Sequence, residues 1–412
     1  MRSCLRRIGP LGAAVVLTLP AVAYAAALWS RPQALSGPGA ASLAVAGDAR
    51  GDGIVAWARP GGASGNIEAA IRTPRTWQRV QVLGPANLLM GRAPAVAMDG
   101  RGTAFAGWVG PDNALHVARH APGAAWAADV LGDAANAPVL AADAAGDAVA
   151  AWLRLGTVEV ADRPRDGTWS APAALSDAGG ADQVRVAMSA AGAVVVTWRA
   201  AGHEQAAIRP AGRPFGAVQQ LSPGGASLPQ IASDAAGDMV AVWNAPGSPQ
   251  VLQAAMRHAG SAKFDATVDV VRRPVLSAPD VAVGPGGRAA VTWVARTVEL
   301  AESTAAGRWG RAQRVSGSGD SVVSPAAVVE DARGDLTIAW SGSSRSPRRI
   351  NAVQVADRLR GGRLGRPHVL SGAAEQDAVD GAPLLTGRHA GIVAWRSLLP
   401  PTGTRVRVAL RR

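Results

Sequence analysis

Three reactive side chains are almost missing from this sequence: the one cysteine is Cys4, the one tyrosine Tyr24 and the one lysine Lys263. Two of the three lie in the opening segment "MRSCLRRIGPLGAAVVLTLPAVAYAAALW". There Arg2, Arg6 and Arg7 precede an apolar stretch from Leu11 to Val22, and Ala23-Tyr24-Ala25 supplies a small-x-small site, the pattern of a cleaved export signal over residues 1–25. Pro20 breaks the apolar stretch, so cleavage is expected in place of a retained anchor. A mature chain of residues 26–412 then contains neither thiol nor phenol. It can form no disulfide, so its fold must close without covalent staples. Long apolar runs and sustained helical periodicity are also lacking, which leaves no second segment able to span a bilayer. The expected product is a monomer outside the cytoplasm, secreted or periplasmic, without membrane insertion.

Aromatic residues make up only 4 % of the chain, yet 13 of them are Trp. The net charge of +12 is carried almost entirely by arginine, and the arginines are spread along the chain instead of forming the stripe that nucleic acid requires. No nucleic-acid partner is expected.

Self-comparison accounts for the tryptophans. "PQIASDAAGDMVAVWN" (Pro229 to Asn244) matches "PVLAADAAGDAVAAWL" (Pro138 to Leu153), "PAVAMDGRGTAFAGWV" (Pro94 to Val109) and "AAVVEDARGDLTIAWS" (Ala326 to Ser341). A further copy ends at Trp57, and weaker ones end at Trp198, Trp293 and Trp395. After each Trp come a loop and an alternating segment that in seven copies ends in Arg: Arg72, Arg119, Arg163, Arg209, Arg257, Arg358 and Arg411. A glycine turn and a last segment opened by an aromatic follow, as in "WQRVQVLG" from Trp77 and "WGRAQRVS" from Trp309. Four short segments bounded by Gly, Pro, Asp and Asn read as four antiparallel strands, A to D. The spacing between copies suits propeller blades.

The ends of the chain set the topology. "WSRPQALS" (Trp29 to Ser36) is a strand D with no strands before it, and the last copy has A, B and C but no D. The expected fold is an all-β, eight-bladed β-propeller, with seven blades as the alternative, in which residues 26–36 complete the final blade.

These blades resemble the secreted bacterial β-propeller repeat proteins that carry an Asp-x-x-Gly turn followed by a segment like "AVAVW". The resemblance covers nearly all of the mature chain and implies the fold. Sialidases, on similar rings, use a tighter Asp-x-Gly-x-x-Trp box and a Tyr nucleophile, and the mature chain has no Tyr. Quinone-dependent dehydrogenases need Thr-Gly before the Trp and a vicinal cysteine pair, both missing here. Other glycosidases and sugar lyases stay open.

"DARGDGIVAW" (Asp48 to Trp57) contains Arg-Gly-Asp, and "DARGD" returns at Asp331 to Asp335. In the repeat frame Asp48, Asp99, Asp143, Asp234 and Asp331 are one position of an A-to-B hairpin, and Gly51, Gly102, Gly146, Gly192, Gly237, Gly287 and Gly334 another. The tripeptide arises where the slot before this Gly is Arg and the one after it Asp, so a turn is expected and not an adhesion or calcium motif. Glu68, Glu159 and Glu299 share a strand C position with Gln205, Gln253 and Gln354, which marks a structural site. No metal set, phosphate loop or nucleophile elbow is present, so neither catalytic residues nor a cofactor are assigned.

Function on such a ring is expected where the D-to-A and B-to-C loops meet the channel. Four residues before the turn position most blades have Ala or Val, but three consecutive ones have Arg185, Gln230 and Asp280. With Arg199, His203 and Asn244 just after strand B, they predict a polar ligand pocket at the channel mouth of the fourth to sixth blades. Long loops at 341–350, 371–382 and 396–404 crowd the last two blades. The expected function is non-enzymatic binding of a protein or cell-envelope glycan through these top-face loops. The alternatives are a glycoside hydrolase or polysaccharide lyase on the same ring, or a structural subunit of an envelope assembly.

Overall fold

A computed structural model describes residues 29–412 except 62–63, 89–92, 248–249, 318–319, 323, 344–351, 372–375, 386–390, 400–402 and 412, with the backbone alone for 376–385 and 399. The expected signal segment and parts of the three long loops lie outside the described residues. What is described is a ring of eight antiparallel sheets, each in the order A-B-C-D.

Strand A of blades 1 to 8 spans Ala41–Gly47, Ala95–Met98, Ala135–Ala142, Ala181–Met188, Ser227–Ser233, Asp280–Gly284, Ala327–Glu330 and Gln376–Leu385. In blade 7 a separate piece, Ser321–Val322, also pairs with strand B. Each strand A touches strand A of the next blade, and blade 8 returns to blade 1. These strands line the channel, and their side chains are largely half-buried, whereas strands B such as Met239–Ala245 are buried throughout. That division explains small residues on A and aliphatic ones on B.

Blade 8 is completed from the other end of the chain. Gln33 and Ala34 pair with Val408 and Arg407. Ser30 donates its backbone N–H to the Leu410 carbonyl at 2.7 Å and Leu35 to that of Val406 at 2.9 Å. Trp29 packs with Val355 and Trp395 and donates its indole N–H to Asp357 at 2.8 Å. The fully buried Arg411 guanidinium lies 3.7 Å from Asp335 and 3.8 Å from Asp357. An eighth strand pairing and a buried charge cluster thus close the ring where a disulfide cannot.

The eight strand B tryptophans are buried at the blade interfaces; Trp243, for example, packs against Val195 and Ile208 of blade 4. Removing such a ring costs about 3–5 kcal/mol. Facing each Trp across the B–C ladder is the shared strand C position, as in Trp57 with Glu68 and Trp243 with Gln253. Glu68 accepts the Trp57 indole N–H at 2.7 Å, and Gln253 that of Trp243 at 3.2 Å. In these two blades the strand C carboxylate or amide therefore serves the fold. The aromatics that open the last segment stand just ahead of strands D that are often only two residues long: Trp169 precedes Ala173–Ala174 and Trp309 precedes Gln313–Arg314.

At the A–B turns, Asp48 Oδ1 accepts the N–H groups of Arg50 and Asp52, and Asp143 Oδ1 those of Ala145, Gly146 and Asp147. Asp99, Asp234 and Asp331 repeat the pattern. All seven turn glycines have positive φ, from 73° at Gly287 to 113° at Gly146. Two strand C arginines brace these turns, Arg72 and Arg257 donating to the carbonyls of Gly51 and Gly237, and two others reach strand C of the preceding blade, Arg209 to Asp162 and Arg358 to Glu302.

Arg50 only covers its own turn, 3.0 Å from Asp48 with half its side chain exposed, and such a pair contributes about 0–1 kcal/mol. Gly237 sits at φ 101°, where a Cβ costs about 1–2 kcal/mol. Gly237→Ala is expected to lower the melting temperature measurably in a calorimetric scan while Arg50→Ala leaves it unchanged; the reverse ranking would contradict this account of the turn.

Candidate functional site

With the A–B turns defining the bottom face, the B–C and D–A connections form the top. In blades 3, 4 and 5 strand A enters the sheet through a bulge, between Asn136 and Val139, Asp182 and Arg185, and Ser227 and Gln230. The bulge residues Ala137, Gln183 and Leu228 have φ of 47°, 53° and 54°, a left-handed conformation uncommon outside glycine. Gln183 steadies the next bulge by accepting the Leu228 N–H at 2.7 Å. Two residues beyond two of these bulges stand Arg185 and Gln230.

Arg185 donates Nε–H to Gln230 Oε1 at 3.2 Å and Nη1–H to the Val184 carbonyl at 2.9 Å, and so joins blade 4 to blade 5. Burial draws its guanidinium pKa down from the usual range, against the charges of Glu204 and Asp280. Asp280 begins strand A of blade 6 and accepts the Val328 N–H of blade 7 at 2.8 Å. Burial pushes its carboxyl up to about 6, opposed by the N–H groups of Val328 and Val281 and by Arg185. Arg185, Gln230 and Asp280 thus form one polar set across three blades of the channel wall.

The other three residues lie around this set. Arg199 at the top of strand B grips Asp182 through both carboxylate oxygens, one at 2.7 Å. The His203 ring is placed by Nδ1 against the Ser222 carbonyl at 3.1 Å. Asn244 is nearly fully buried and donates to the Ser277 carbonyl at 3.2 Å, in the seam between blades 5 and 6.

Glu204, beside Arg199 in the B–C ladder, joins the group from strand C. It is completely buried, and neither carboxylate oxygen has a well-formed hydrogen bond. Burial pushes its pKa up to about 9, although the Thr197 hydroxyl and the charges of Arg185 and Arg199 pull it down. At neutral pH it is a neutral acid. The corresponding residues of the other blades, each beside the residue that faces the strand B Trp, are Ile67, Leu115, Val158, Leu252, Val298, Val353 and Val406. Aligning strand C would have exposed this one polar exception.

Elsewhere, His116 is bound to Asp112 at 2.9 Å and stacks on Trp108, while His120 lies against Trp126. Four residues apart on one strand, the two rings are about 13 Å apart along it, too far to share an ion. At the bottom mouth a cavity of about 490 Å³ is lined by Asp48, Asp234 and Asp331, whose carboxylates already hold their own turns.

No family model matches the sequence, and neither does any curated protein sequence. Solved structures do resemble it. Sqt1 of Chaetomium thermophilum, bound to the N-terminus of the ribosomal protein L10, is 12 % identical with a TM-score of 0.57 over 92 % of this chain and 98 % of that one. A prolyl endopeptidase chain is 13 % identical with a TM-score of 0.50, over 88 % of this chain and 55 % of its own length. At such identities the likeness establishes a β-propeller of repeated blades. The ligand has to be argued from this chain's own residues.

Glu204 carries a pH signature. An unfolded Glu titrates near 4.5 and the native one near about 9, so the folded state keeps a proton that the unfolded chain releases, and stability falls as pH rises through that window. Relative to the parent protein, Glu204→Gln is expected to gain thermal stability at pH 8 over what it shows at pH 4. A difference in melting temperature that is the same at both pH values would contradict the buried neutral acid.

Proposed function

We propose that the mature ring works outside the cytoplasm as a monomeric, non-enzymatic binding module that holds a protein segment or a cell-envelope glycan at the top mouth of its channel, over blades 4 to 6. The observation that carries this reading is the Arg185–Gln230–Asp280 set. These residues occupy a strand A position that is Ala or Val in the other blades that keep the Asp-x-x-Gly turn, and they are joined across successive blades by a hydrogen bond and by charge. Repetition serves the ring, so a run of polar departures at one end of the channel marks use. At this mouth binding is favoured over catalysis because its two carboxylates with raised pKa, Glu204 and Asp280, are held inside the wall. Glu204 is sealed from solvent, and Asp280 receives a backbone N–H from the next blade. Neither is presented as the acid–base pair that glycoside cleavage needs. Placement outside the cytoplasm rests on the opening arginines, apolar stretch and small-residue site, and agrees with a mature chain free of cysteine. Among the described residues no helix is long and apolar enough to cross a membrane.

Envelope glycan fragments on an array, and pull-down from an envelope extract, supply the ligand. Arg185→Ala and Asp280→Ala are each expected to weaken its binding about tenfold or more, as loss of a central desolvated contact does, with the ring still folded by circular dichroism. Unchanged affinity in both variants would sink the top-mouth site.

A further inference from the structure

The apolar side chains left in water are not scattered at random. Among the described residues, the large exposed ones are four valines on or beside the outer strands D and three leucines on the top face. Those leucines are Leu155, Leu228 and Leu276, 77 %, 39 % and 70 % exposed. Each is tied to the wall that carries Arg185. Leu228 is the bulge residue two before Gln230, with its N–H on Gln183. Its neighbour Ser227 pairs with Asn244, which donates to the Ser277 carbonyl, and Leu276 precedes Ser277 with its own N–H on the Val294 carbonyl at 2.7 Å. Leu155 lies at the tip of the blade 3 B–C hairpin, where the Gly156 carbonyl accepts the N–H of Ala181, the residue before Asp182. Successive contacts thus join an apolar rim to the polar wall from blade 3 to blade 6.

Leu155 and Leu228 also lie in the left-handed region, at φ 49° and 54°. The matching hairpin slot of blade 4 holds Ala201, and the bulge slots of blades 3 and 4 hold Ala137 and Gln183. A leucine in such a slot combines backbone strain with a side chain left in water, and both features concentrate at binding sites. Beside this rim the polar set keeps unused groups. Arg185 engages Nε and Nη1 and leaves Nη2. Gln230 must face it with Oε1, because a guanidinium only donates, and that leaves the amide N–H groups. Asp280 accepts the Val328 N–H with a carboxylate that can take about four hydrogen bonds. Within the set Asp280 opposes the charge of Arg185, and Asp182 that of Arg199. Donors and an acceptor in a row, with both charges present, suit the carbonyls and N–H groups of a polypeptide backbone. A sugar ring asks instead for an aromatic face over its C–H groups. Every ring on the described residues is either buried or opens a strand D at the bottom end, as Trp77 does beside Arg72.

We propose that the occupant of the top mouth is a protein segment, which seats apolar side chains on Leu228 and Leu276 and sets its backbone against Arg185, Gln230 and Asp280. The choice of polypeptide over glycan rests on the top-mouth reading above. Peptides are selected on the parent protein from a random dodecapeptide display library, and their affinities are measured by fluorescence polarisation, with neutral chito-oligosaccharides titrated alongside by calorimetry. The selected peptides should share apolar positions. Leu228→Gly and Leu276→Ser should each weaken them about tenfold or more, as loss of a central contact does, and so should Arg185→Ala. Leu228→Gly should at the same time raise the melting temperature, because glycine takes a left-handed φ without strain. Val130→Ser, on the outer rim, should change nothing. The proposal is overturned if no peptide is selected, if the peptides ignore both leucine variants, or if Leu228→Gly lowers the melting temperature and so proves to be a packing residue. Chito-oligosaccharide binding that Arg185→Ala weakens and the leucine variants leave alone would overturn the polypeptide and keep the top-mouth site. Peptide binding indifferent to Arg185→Ala would overturn the site and the proposal together.

Discussion

Everything in this ring depends on its closure by the N-terminal strand. Seven blades are each built from one continuous stretch of chain, and an open stack of them would end in two exposed edges. The eighth takes strands A to C from the C-terminus and strand D from residues before the first repeat, so the two ends of the chain are held by one sheet. The buried Trp29, Asp357, Arg411 and Asp335 cluster lies at that joint. A buried ion pair contributes little net stability once desolvation is counted, but leaving one member unpaired is costly. Such a cluster therefore favours the closed state over an open one, without an internal disulfide, which a single cysteine cannot form.

Closure makes every blade equivalent by default, and departures from equivalence then become informative. The turn aspartates, turn glycines, strand B tryptophans and strand C arginines recur because each blade must pack on two neighbours. Arg185, Gln230 and Asp280 do not recur, nor does Glu204 among seven aliphatic counterparts.

Much of the fold was legible in the sequence because it is a repeat. Position-matched Asp, Gly and Trp showed blade number, turn chemistry and the shared N- and C-terminal blade, and the Arg-Gly-Asp letters proved to be a hairpin whose Asp48 caps its own backbone. The site was only partly legible. Arg185, Gln230 and Asp280 stood out against Ala and Val; Arg185 bonds Gln230, and Asp280 accepts the Val328 N–H of the next blade. Asn244 also stood out, yet its amide serves the blade 5 and 6 seam, since position after strand B does not tell which neighbour a side chain meets. Glu204 was overlooked when glutamates were compared with one another and not with the aliphatic residues of their own repeat position.

Closure can be tested directly, because Cys4 is the one cysteine of the sequence and residues 29–412 offer no competing thiol. Ala34 and Arg407 face each other across the last pairing, and the N–H of Leu35 on the Val406 carbonyl makes theirs a pair without mutual hydrogen bonds, the kind with the closer side chains. Ala34→Cys combined with Arg407→Cys, oxidised in dilute solution and compared with and without reductant by mass and melting temperature, reads the joint. A closed ring predicts an intramolecular disulfide within a monomer and a higher melting temperature in the oxidised form. Free thiols, or disulfide-linked dimers in place of the internal bridge, would contradict it.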